Sequence, residues 1–302
     1  MAIDRTTLFQ GPGHIVFDGK AILAADDIKV SVGNDTEDIV ANGYGVLGRR
    51  RKGRSIKVTC TPLHWDNLNT LLPYAALQIG ESIYGATDKV LQVIPRNGAN
   101  SGIKLLNASV TKMPGITWSA MKKPLGSMEF TGLIANNADP ALDVSYWTTE
   151  AAGALPAPDL SKIRNGIYTA SWGTTLVNFG GADGFELDTD LQLSPVEVDG
   201  HGVVDMYLAG LTASCKVTPV GLAWGDILGA LGGAIGADLV KHDLVIKTGV
   251  GEAATTVATI PNCQLITGEG EWGNDKRRVG ALEFKSVRTA AAGALTPLWT
   301  LV

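Results

Sequence analysis

The sequence is short of the residues on which disulfide-linked, metal-binding and membrane-spanning proteins depend. Its 302 residues contain three cysteines, Cys60, Cys215 and Cys263. This number is odd and includes no CxxC pair, which argues against a disulfide framework. The sequence contains no run of about 18 apolar residues, so it predicts no membrane-spanning helix. The first residues lack both the basic start and the apolar stretch of a secretion signal, so we expect synthesis in the cytoplasm.

Catalytic motifs are equally scarce. Gly11 to Gly13 and Gly180 to Gly184 contain no Walker lysine and lack the spacing of a dinucleotide loop. Asp188 and Asp190 resemble the start of a calcium loop, but the central glycine and the terminal glutamate do not follow. No histidine has the spacing of a metal site: His14, His64, His201, His242. We therefore predict a protein without enzymatic activity, cofactor or metal.

What the chain does contain favours a folded, strand-rich protein. Apolar residues make up 45% and charged residues 18%, a balance that excludes general disorder. Thirty-seven glycines and 13 prolines favour many short strands and turns over long helices. The length allows two domains of ordinary size, each able to bury its own core.

An internal repeat organises the sequence. Asn42 to Leu63 aligns without a gap onto Asp199 to Val220 at an offset of 157. Trp118 to Phe130 aligns onto Trp272 to Phe284 in the pattern W-x3-K-[KR]-x2-G-x2-E-F, at an offset of 154. The identities of the first pair are Gly43/Gly200, Gly45/Gly202, Val46/Val203, Gly53/Gly210, Thr61/Thr218 and Pro62/Pro219. The chain therefore carries one fold twice.

Each copy predicts the same order of elements. A hairpin comes first, with turn signals at Asp18-Gly19 or Trp172-Gly173, and a glycine-marked loop, a strand, one helix and three late strands follow. Helical periodicity predicts these apolar faces: Trp65, Leu68, Leu71 and Leu72 in the first copy, and Trp224, Ile227, Leu228 and Leu231 in the second. The predicted fold is mainly β, with two tandem sandwich or half-barrel domains, each flanked by one helix.

The repeat also predicts the domain boundaries. We expect the first copy over residues 1–135, a proline-containing linker over 136–163, the second copy over 164–288, and an apolar C-terminal tail over 289–302 that packs on the rest of the protein.

One strand of the second copy carries a row of acids. Along Phe185 to Ser194 the apolar residues share one face, while Glu186, Asp188 and Asp190 share the other. Such a row is either the solvated face of an ordinary sheet or a lining that repels a passing polyanion. The first copy has Lys29 and Ser31 at the corresponding positions, so we extend the lining role to the second copy only.

The glycine-marked loops differ most between the copies. The first holds five cations in six positions, Arg49, Arg50, Arg51, Lys52 and Arg54, where the second has an apolar, mildly acidic stretch. Contact with a partner subunit, plain solvation and a grip on nucleic acid phosphates are three alternatives. The net charge of −5, the lack of interleaved aromatic residues and the apolar twin loop favour contact with protein.

A turn with paired cations follows Trp118 and Trp272 in both copies. Lys122-Lys123 in the first copy corresponds to Lys276-Arg277-Arg278 in the second. We interpret this turn as a fold determinant in which the tryptophan is buried while the charges stay in water.

The order of hairpin, long glycine-marked loop, strand ending in Thr-Pro, Trp-bearing helix and late strands closing with G-x2-E-F resembles a known family. It is similar to the major tail tube proteins of long-tailed, non-contractile bacteriophages, in the subset with a duplicated tube domain. The similarity covers about Gly11 to Leu133 and Arg164 to Arg288. It is a likeness of architecture and element order rather than of one diagnostic motif.

The resemblance implies a structural virion protein. Sheets of neighbouring domains would join edge to edge around a channel, and a duplicated member would form a homotrimeric ring with pseudo-sixfold symmetry. Stacked rings would form the tube through which DNA passes without sequence-specific binding, in contact with other tail proteins. The long loops would reach neighbouring subunits or rings through Gly43, Tyr44, Gly45, Arg49, Arg50, Arg51, Lys52, Gly200, His201, Gly202, Met206 and Tyr207.

Two other functions stay open on the sequence. A distal tail or tail terminator protein of related fold would form rings that do not stack. A tandem β protein that binds or hydrolyses carbohydrate would expose aromatic residues on a sheet face. Burial of Trp65, Trp118, Trp224 and Trp272 would argue against the carbohydrate function.

Overall fold

A computed structural model defines most of the chain as antiparallel β-strands. It describes residues 12–63, 79–83, 89–97, 102–134, 146–158, 166–198, 202–249, 254–273, 276–287, 290–291, 294–295 and 298–302. Within these residues the first half forms nine strands: β1 Gly13–Phe17, β2 Lys20–Leu23, β3 Lys29–Ala41, β4 Gly45–Cys60, β5 Lys89–Pro95, β6 Gly102–Lys112, β7 Ile116–Trp118, β8 Met128–Leu133 and β9 Trp147–Glu150.

The described part of the second half repeats this pattern, with some longer strands and one helix. Its elements are β10 Tyr168–Trp172, β11 Leu176–Val198, β12 Gly202–Val220, α1 Trp224–Leu231, β13 His242–Thr248, β14 Thr255–Gly273, β15 Lys276–Ser286, β16 Ala290–Ala291, β17 Ala294–Leu295 and β18 Thr300–Leu301. The predicted mainly β fold with a flanking helix is confirmed.

The strands of each repeat close on themselves. In the second repeat the order is β10-β13-β14-β15-β12-β11, and a further pairing of β10 with β11 joins the two ends. In the first repeat the order is β2-β1-β5-β6-β8-β4, and a bridge between Ala24 and Pro62 joins β2 back to the end of β4. The backbone bonds from Ala25 N to Thr61 O (2.7 Å) and from Leu63 N to Leu23 O (2.8 Å) flank that bridge. Each repeat is thus a small six-stranded barrel, which protects most strand edges.

The strand registers reproduce the sequence repeat residue for residue. Val58 pairs with Phe130 where β4 meets β8, and Cys215 pairs with Phe284 where β12 meets β15. These residues are related by the same offsets of 157 and 154 that align the sequences. The internal repeat is therefore a structural one.

Aromatic and branched side chains fill both barrels. Phe17 packs on Phe130 in the first, with ring centroids 5.1 Å apart, and Phe179 stacks on Phe284 in the second, at 6.4 Å. The predicted turn at Asp18 and Gly19 connects β1 to β2. Both residues have positive φ, 49° and 73°, which is typical of a two-residue type I′ hairpin.

The helix of the second repeat differs in part from the prediction. Ile227 is fully buried and Trp224 and Leu231 pack partly against the core, but Leu228 is 52% exposed. Gly268 on β14 lets the helix lie close to the sheet, because a Cβ there would be 3.0 Å from Ile227 Cγ2. With only eight residues, α1 contacts the sheet along a narrow stripe that excludes Leu228. The helix predicted near Trp65 in the first repeat lies outside the described residues.

Parts of the segments between and after the repeats pair with strands of the barrels. The predicted linker contains β9, which pairs with β6, so the first sheet extends into that segment. The tail packs as expected: β18 pairs with β14, Trp299 is 2% exposed, and its indole Nε1 donates to Thr189 Oγ1 at 2.8 Å. The proposed domain limits stay predictions.

Candidate assembly interfaces

Two long β-hairpins, which we call arms, project from the barrels. Arm 1 is the β3–β4 hairpin beyond Asn34, and arm 2 is the β11–β12 hairpin beyond Leu191. Their registers match even in their irregularities. Both carry bulges at equivalent positions, Leu47 and Lys52 in arm 1 and Val204 and Ala209 in arm 2. Because bulges fix the bend and twist of a hairpin, the two arms have the same local geometry.

The predicted interface loops are therefore strands. Gly45 begins β4 and Gly202 begins β12, and the turn of arm 1 contains only Asn42 to Tyr44. The loop prediction missed this because glycines at 43, 45, 48 and 53 suggested turns, whereas the structure uses those at 45, 48 and 53 within a strand. Gly200 and His201 lie outside the described residues.

Arm 1 exposes apolar side chains in the half nearest its turn, between Ile39 and Leu47. Tyr44 is 83% exposed, Val40 66% and Leu47 63%. A contiguous apolar surface of this kind marks an interaction site more often than a solvated face. Its predicted role as an interface stays a prediction, which this exposure supports.

The cations of arm 1 are largely neutralised or buried. Arg49 Nε lies 3.0 Å from Asp38 Oδ1, and Arg50 Nη2 lies 3.2 Å from Glu37 Oε2, across the hairpin. Arg54 is only 7% exposed and stacks its guanidinium on the rings of Tyr146 and Trp147, at 5.4 and 5.3 Å. Burial and the charge of Arg51 lower the pKa of Arg54. These contacts weaken the nucleic acid alternative, because Arg54 cannot reach a phosphate and two other cations face carboxylates.

Arm 2 is covered by a segment of the first repeat. Gly80 N donates to Leu208 O at 2.7 Å, Leu208 N to Glu81 O at 3.0 Å, and Ile83 N to Met206 O at 2.9 Å. Ser82 lies opposite Tyr207, and its hydroxyl donates to Asp205 Oδ2 at 2.5 Å. Residues 80–83 thus add a short strand to arm 2, and both Ile83 and Leu208 are fully buried.

A second contact joins the repeats through the edge of a sheet. Strand β7 of the first repeat pairs antiparallel with β11 of the second, with Trp118 opposite Phe185 and Ile116 opposite Leu187. Gly184, with φ of 91°, permits this approach, because a Cβ there would lie 2.3 Å from Trp118 O. Trp118 is fully buried, as expected of the first cation turn. The side chains of Trp272 and of its following cations lie outside the described part.

The acidic row borders this junction. As predicted, Phe185 and Leu187 are buried, while Glu186, Asp188 and Asp190 point away from the barrel core. Lys122 Nζ lies 2.6 Å from Glu186 Oε1, and this hydrogen bond raises the pKa of Lys122. The row also faces Lys216 across the β11–β12 ladder, so its charge is partly compensated. Its role as a channel lining stays a prediction.

The reactive residues of the described part have structural positions. Cys60, Cys215 and Cys263 are buried and free, and burial raises the pKa of Cys60 and of Cys263 to about 12. His14 is 5% exposed, and burial lowers its pKa. Within the described residues no group of three or more potential ligands is placed to hold a metal ion.

Among the helical residues that the structure describes, none belongs to a helix long and apolar enough to cross a membrane.

Sequence reasoning missed the contact of residues 80–83 with arm 2. This contact joins residues more than 120 positions apart, and no local periodicity encodes it. The only signal was an Ile-Gly pair at Ile79-Gly80 that recurs at Ile235-Gly236.

No protein-family model matches the chain, and the comparison with curated proteins found no match.

Proposed function

We propose that this chain is a structural subunit that associates with copies of itself into rings, and that stacked rings form the tail tube of a long-tailed bacteriophage. DNA passes through the channel without sequence-specific contacts, and the protein has no catalytic role. The smallest ring contains three chains, so that six similar barrels surround the channel. Other tail proteins cap the ends of the tube.

One observation carries this proposal: the first repeat adds strand β7 to the sheet edge of the second repeat. The same fold appears twice, and its two copies join by adding a strand to a sheet edge; a closed ring needs further contacts of this kind between chains. The contact is heterologous, because the first repeat offers a strand and the second offers an edge. A heterologous contact generates a ring when its rotation closes.

Arm 1 supports the proposal independently. A hairpin with Tyr44, Val40 and Leu47 largely exposed is costly for a protein that stays monomeric. Burying such side chains against a neighbour is worth about 1.5 to 3 kcal/mol for each one that is fully covered.

The proposal is tested by the mass and shape of assemblies. Purified protein is concentrated stepwise and examined by native mass spectrometry and by electron microscopy of stained particles. We expect a smallest stable oligomer with the mass of three chains, and annular particles that stack into hollow tubes at higher concentration. A protein that stays monomeric under every assembly condition contradicts the proposal.

The second candidate function is that of a distal tail or tail terminator protein, which would form rings that do not stack into a tube. Annular particles that never lengthen into tubes would favour it. Burial of Trp118 weakens the carbohydrate-binding alternative, because this side chain cannot stack on a sugar; Trp224 packs partly against the core. Glycan-array binding by the monomer would revive it.

A further inference from the structure

Residues 80–83 and arm 2 contact each other within the chain, and each of the two has a counterpart in the other repeat. The counterpart of arm 2 is arm 1, which has the same register and the same two bulges. Met206, Tyr207 and Leu208 of arm 2 correspond to Arg49, Arg50 and Arg51 of arm 1 at the offset of 157. Along this stretch β4 pairs with β3 on one side, and none of the described strands pairs with it on the other.

The counterpart of residues 80–83 lies after α1 in the second repeat. Ile235-Gly236 repeats Ile79-Gly80, and both pairs stand in a turn. The two glycines share a left-handed backbone, with φ of 92° for Gly80 and 88° for Gly236. Asp238 and Leu239 then correspond to Ser82 and Ile83.

The two segments differ in what covers them. Ile83 is fully buried on arm 2, whereas its counterpart Leu239 is 46% exposed and the following Val240 is 52% exposed. A leucine that is exposed where the twin repeat buries an isoleucine indicates a contact that the single chain does not complete. Arm 1 and residues 235–240 are thus the counterparts, on opposite repeats, of the two partners in the internal contact.

We propose that residues 235–240 of one chain add as a short strand to arm 1 of the next copy of this chain. By analogy with the internal contact, Gly236 N donates to Arg51 O, Arg51 N to the carbonyl of residue 237, and Leu239 N to Arg49 O. This inference rests on the proposed self-assembly and names the surfaces that carry it.

The charges of the two halves are complementary. Ser82 lies opposite Tyr207 in the internal contact, so Asp238 lies opposite Arg50 between chains. Asp238 and Arg50 are both exposed in the single chain. Oppositely charged residues directly across a ladder stabilise the pairing of strands. The cation at position 50, where arm 2 has Tyr207, therefore favours Asp238 over Ser82 as the residue directly opposite.

The other junction between the repeats does not carry over in the same form. Gly184 permits the approach of Trp118 because it has no Cβ, and Asp27 stands at the corresponding position of the first repeat. A neighbour cannot approach Asp27 as closely as Trp118 approaches Gly184. The contact between chains is for this reason assigned to arm 1 alone.

The test is a cysteine pair at the directly opposed positions, Asp238→Cys with Arg50→Cys. Cβ atoms of opposed residues lie about 4.5 to 5.5 Å apart, within reach of a disulfide after a small adjustment. Oxidised glutathione serves as the oxidant, and each disulfide formed reduces one molecule of it to two thiols. The native cysteines are buried and do not compete. Ser82→Cys with Tyr207→Cys is the matched positive control, and Asp238→Cys with Val46→Cys is the register control.

We expect the test pair to give covalent dimers and higher multimers on a non-reducing gel, at concentrations where the wild type is oligomeric. The positive control gives a linkage within one chain, and the register control gives none. A protein that assembles as wild type while the test pair stays uncrosslinked overturns the inference and leaves the proposed function standing. A wild type that never leaves the monomer overturns both.

A second variant tests the backbone bonds without cysteine. Leu239→Pro removes the N–H that would donate to Arg49 O, and Leu239→Met keeps it together with the apolar side chain. We expect Leu239→Pro to raise the concentration for half-assembly about tenfold, the effect of one lost buried hydrogen bond. Leu239→Met stays within a factor of two. Equal assembly of the two variants contradicts the pairing.

Discussion

The substitution Leu47→Asp in arm 1 tests assembly separately from folding. Leu47 is 63% exposed, whereas the equivalent residue of arm 2, Val204, is partly buried against the core. A carboxylate at position 47 stays in water in the single chain, so the free energy of unfolding changes by less than about 0.5 kcal/mol. A carboxylate at position 204 is partly buried, and we expect Val204→Asp to cost about 1 to 3 kcal/mol.

The effect of Leu47→Asp on assembly follows from the same exposure. Complete burial of a leucine is worth about 1.5 to 3 kcal/mol, and roughly two thirds of this side chain is available to a neighbour. The loss is therefore about 1 to 2 kcal/mol for each contact, or about a five- to thirtyfold weaker association.

Urea denaturation of dilute protein measures the stability of both variants, and sedimentation velocity over a concentration series measures assembly. Leu47→Ile is the matched control and should behave as wild type in both. Unchanged assembly of Leu47→Asp would refute the assignment of arm 1 to an interface. A large loss of stability in that variant would refute its exposed position.

Three further predictions concern folding and reactivity. Trp118→Ala should lower the free energy of unfolding by about 3 to 5 kcal/mol in urea titrations, since this side chain is fully buried where the repeats join; Trp118→Phe should cost less, and equal losses would contradict the packing. The three thiols should resist a thiol reagent at pH 8 in the native protein and react after unfolding, because burial raises the pKa of Cys60 and Cys263 to about 12; rapid native labelling would count against this. Stability should fall as the pH drops below 6.5, because burial lowers the pKa of His14 in the folded state and the unfolded chain then binds the extra proton. His14→Gln should flatten that dependence in thermal melts, and an unchanged slope would assign it to other groups.

The repeat was the part of the fold that the sequence predicted best. Offsets of 157 and 154, found from a few glycines, prolines and tryptophans, reappear as identical pairings of β4 with β8 and of β12 with β15. The alternation of apolar and polar residues also predicted the buried face of β11 correctly. Successive side chains of a strand point to opposite faces, so an apolar face fixes which residues are buried.

The interfaces were harder to predict, for two physical reasons. Glycines along β4 suggested a loop, whereas the pairing of β4 with β3 holds the same residues in a strand, so long-range hydrogen bonding overrode local propensity. The sequence predicted Arg54 as one of five cations in an interface loop, but Tyr146 and Trp147, from a segment more than 90 residues later, bury it. Contacts at such separations leave no periodic trace in a single sequence.

The ion pairs that cross arm 1 have a consequence for solubility. An isolated hairpin with exposed valines, isoleucine and leucine offers a template for indiscriminate strand addition, the first step of aggregation. Asp38 and Glu37 facing Arg49 and Arg50 place charge on that hairpin, and any strand that pairs beside it must accommodate them. The charges on arm 1 therefore oppose unspecific strand addition and aggregation. Replacing these four residues with threonine should yield protein that precipitates instead of assembling.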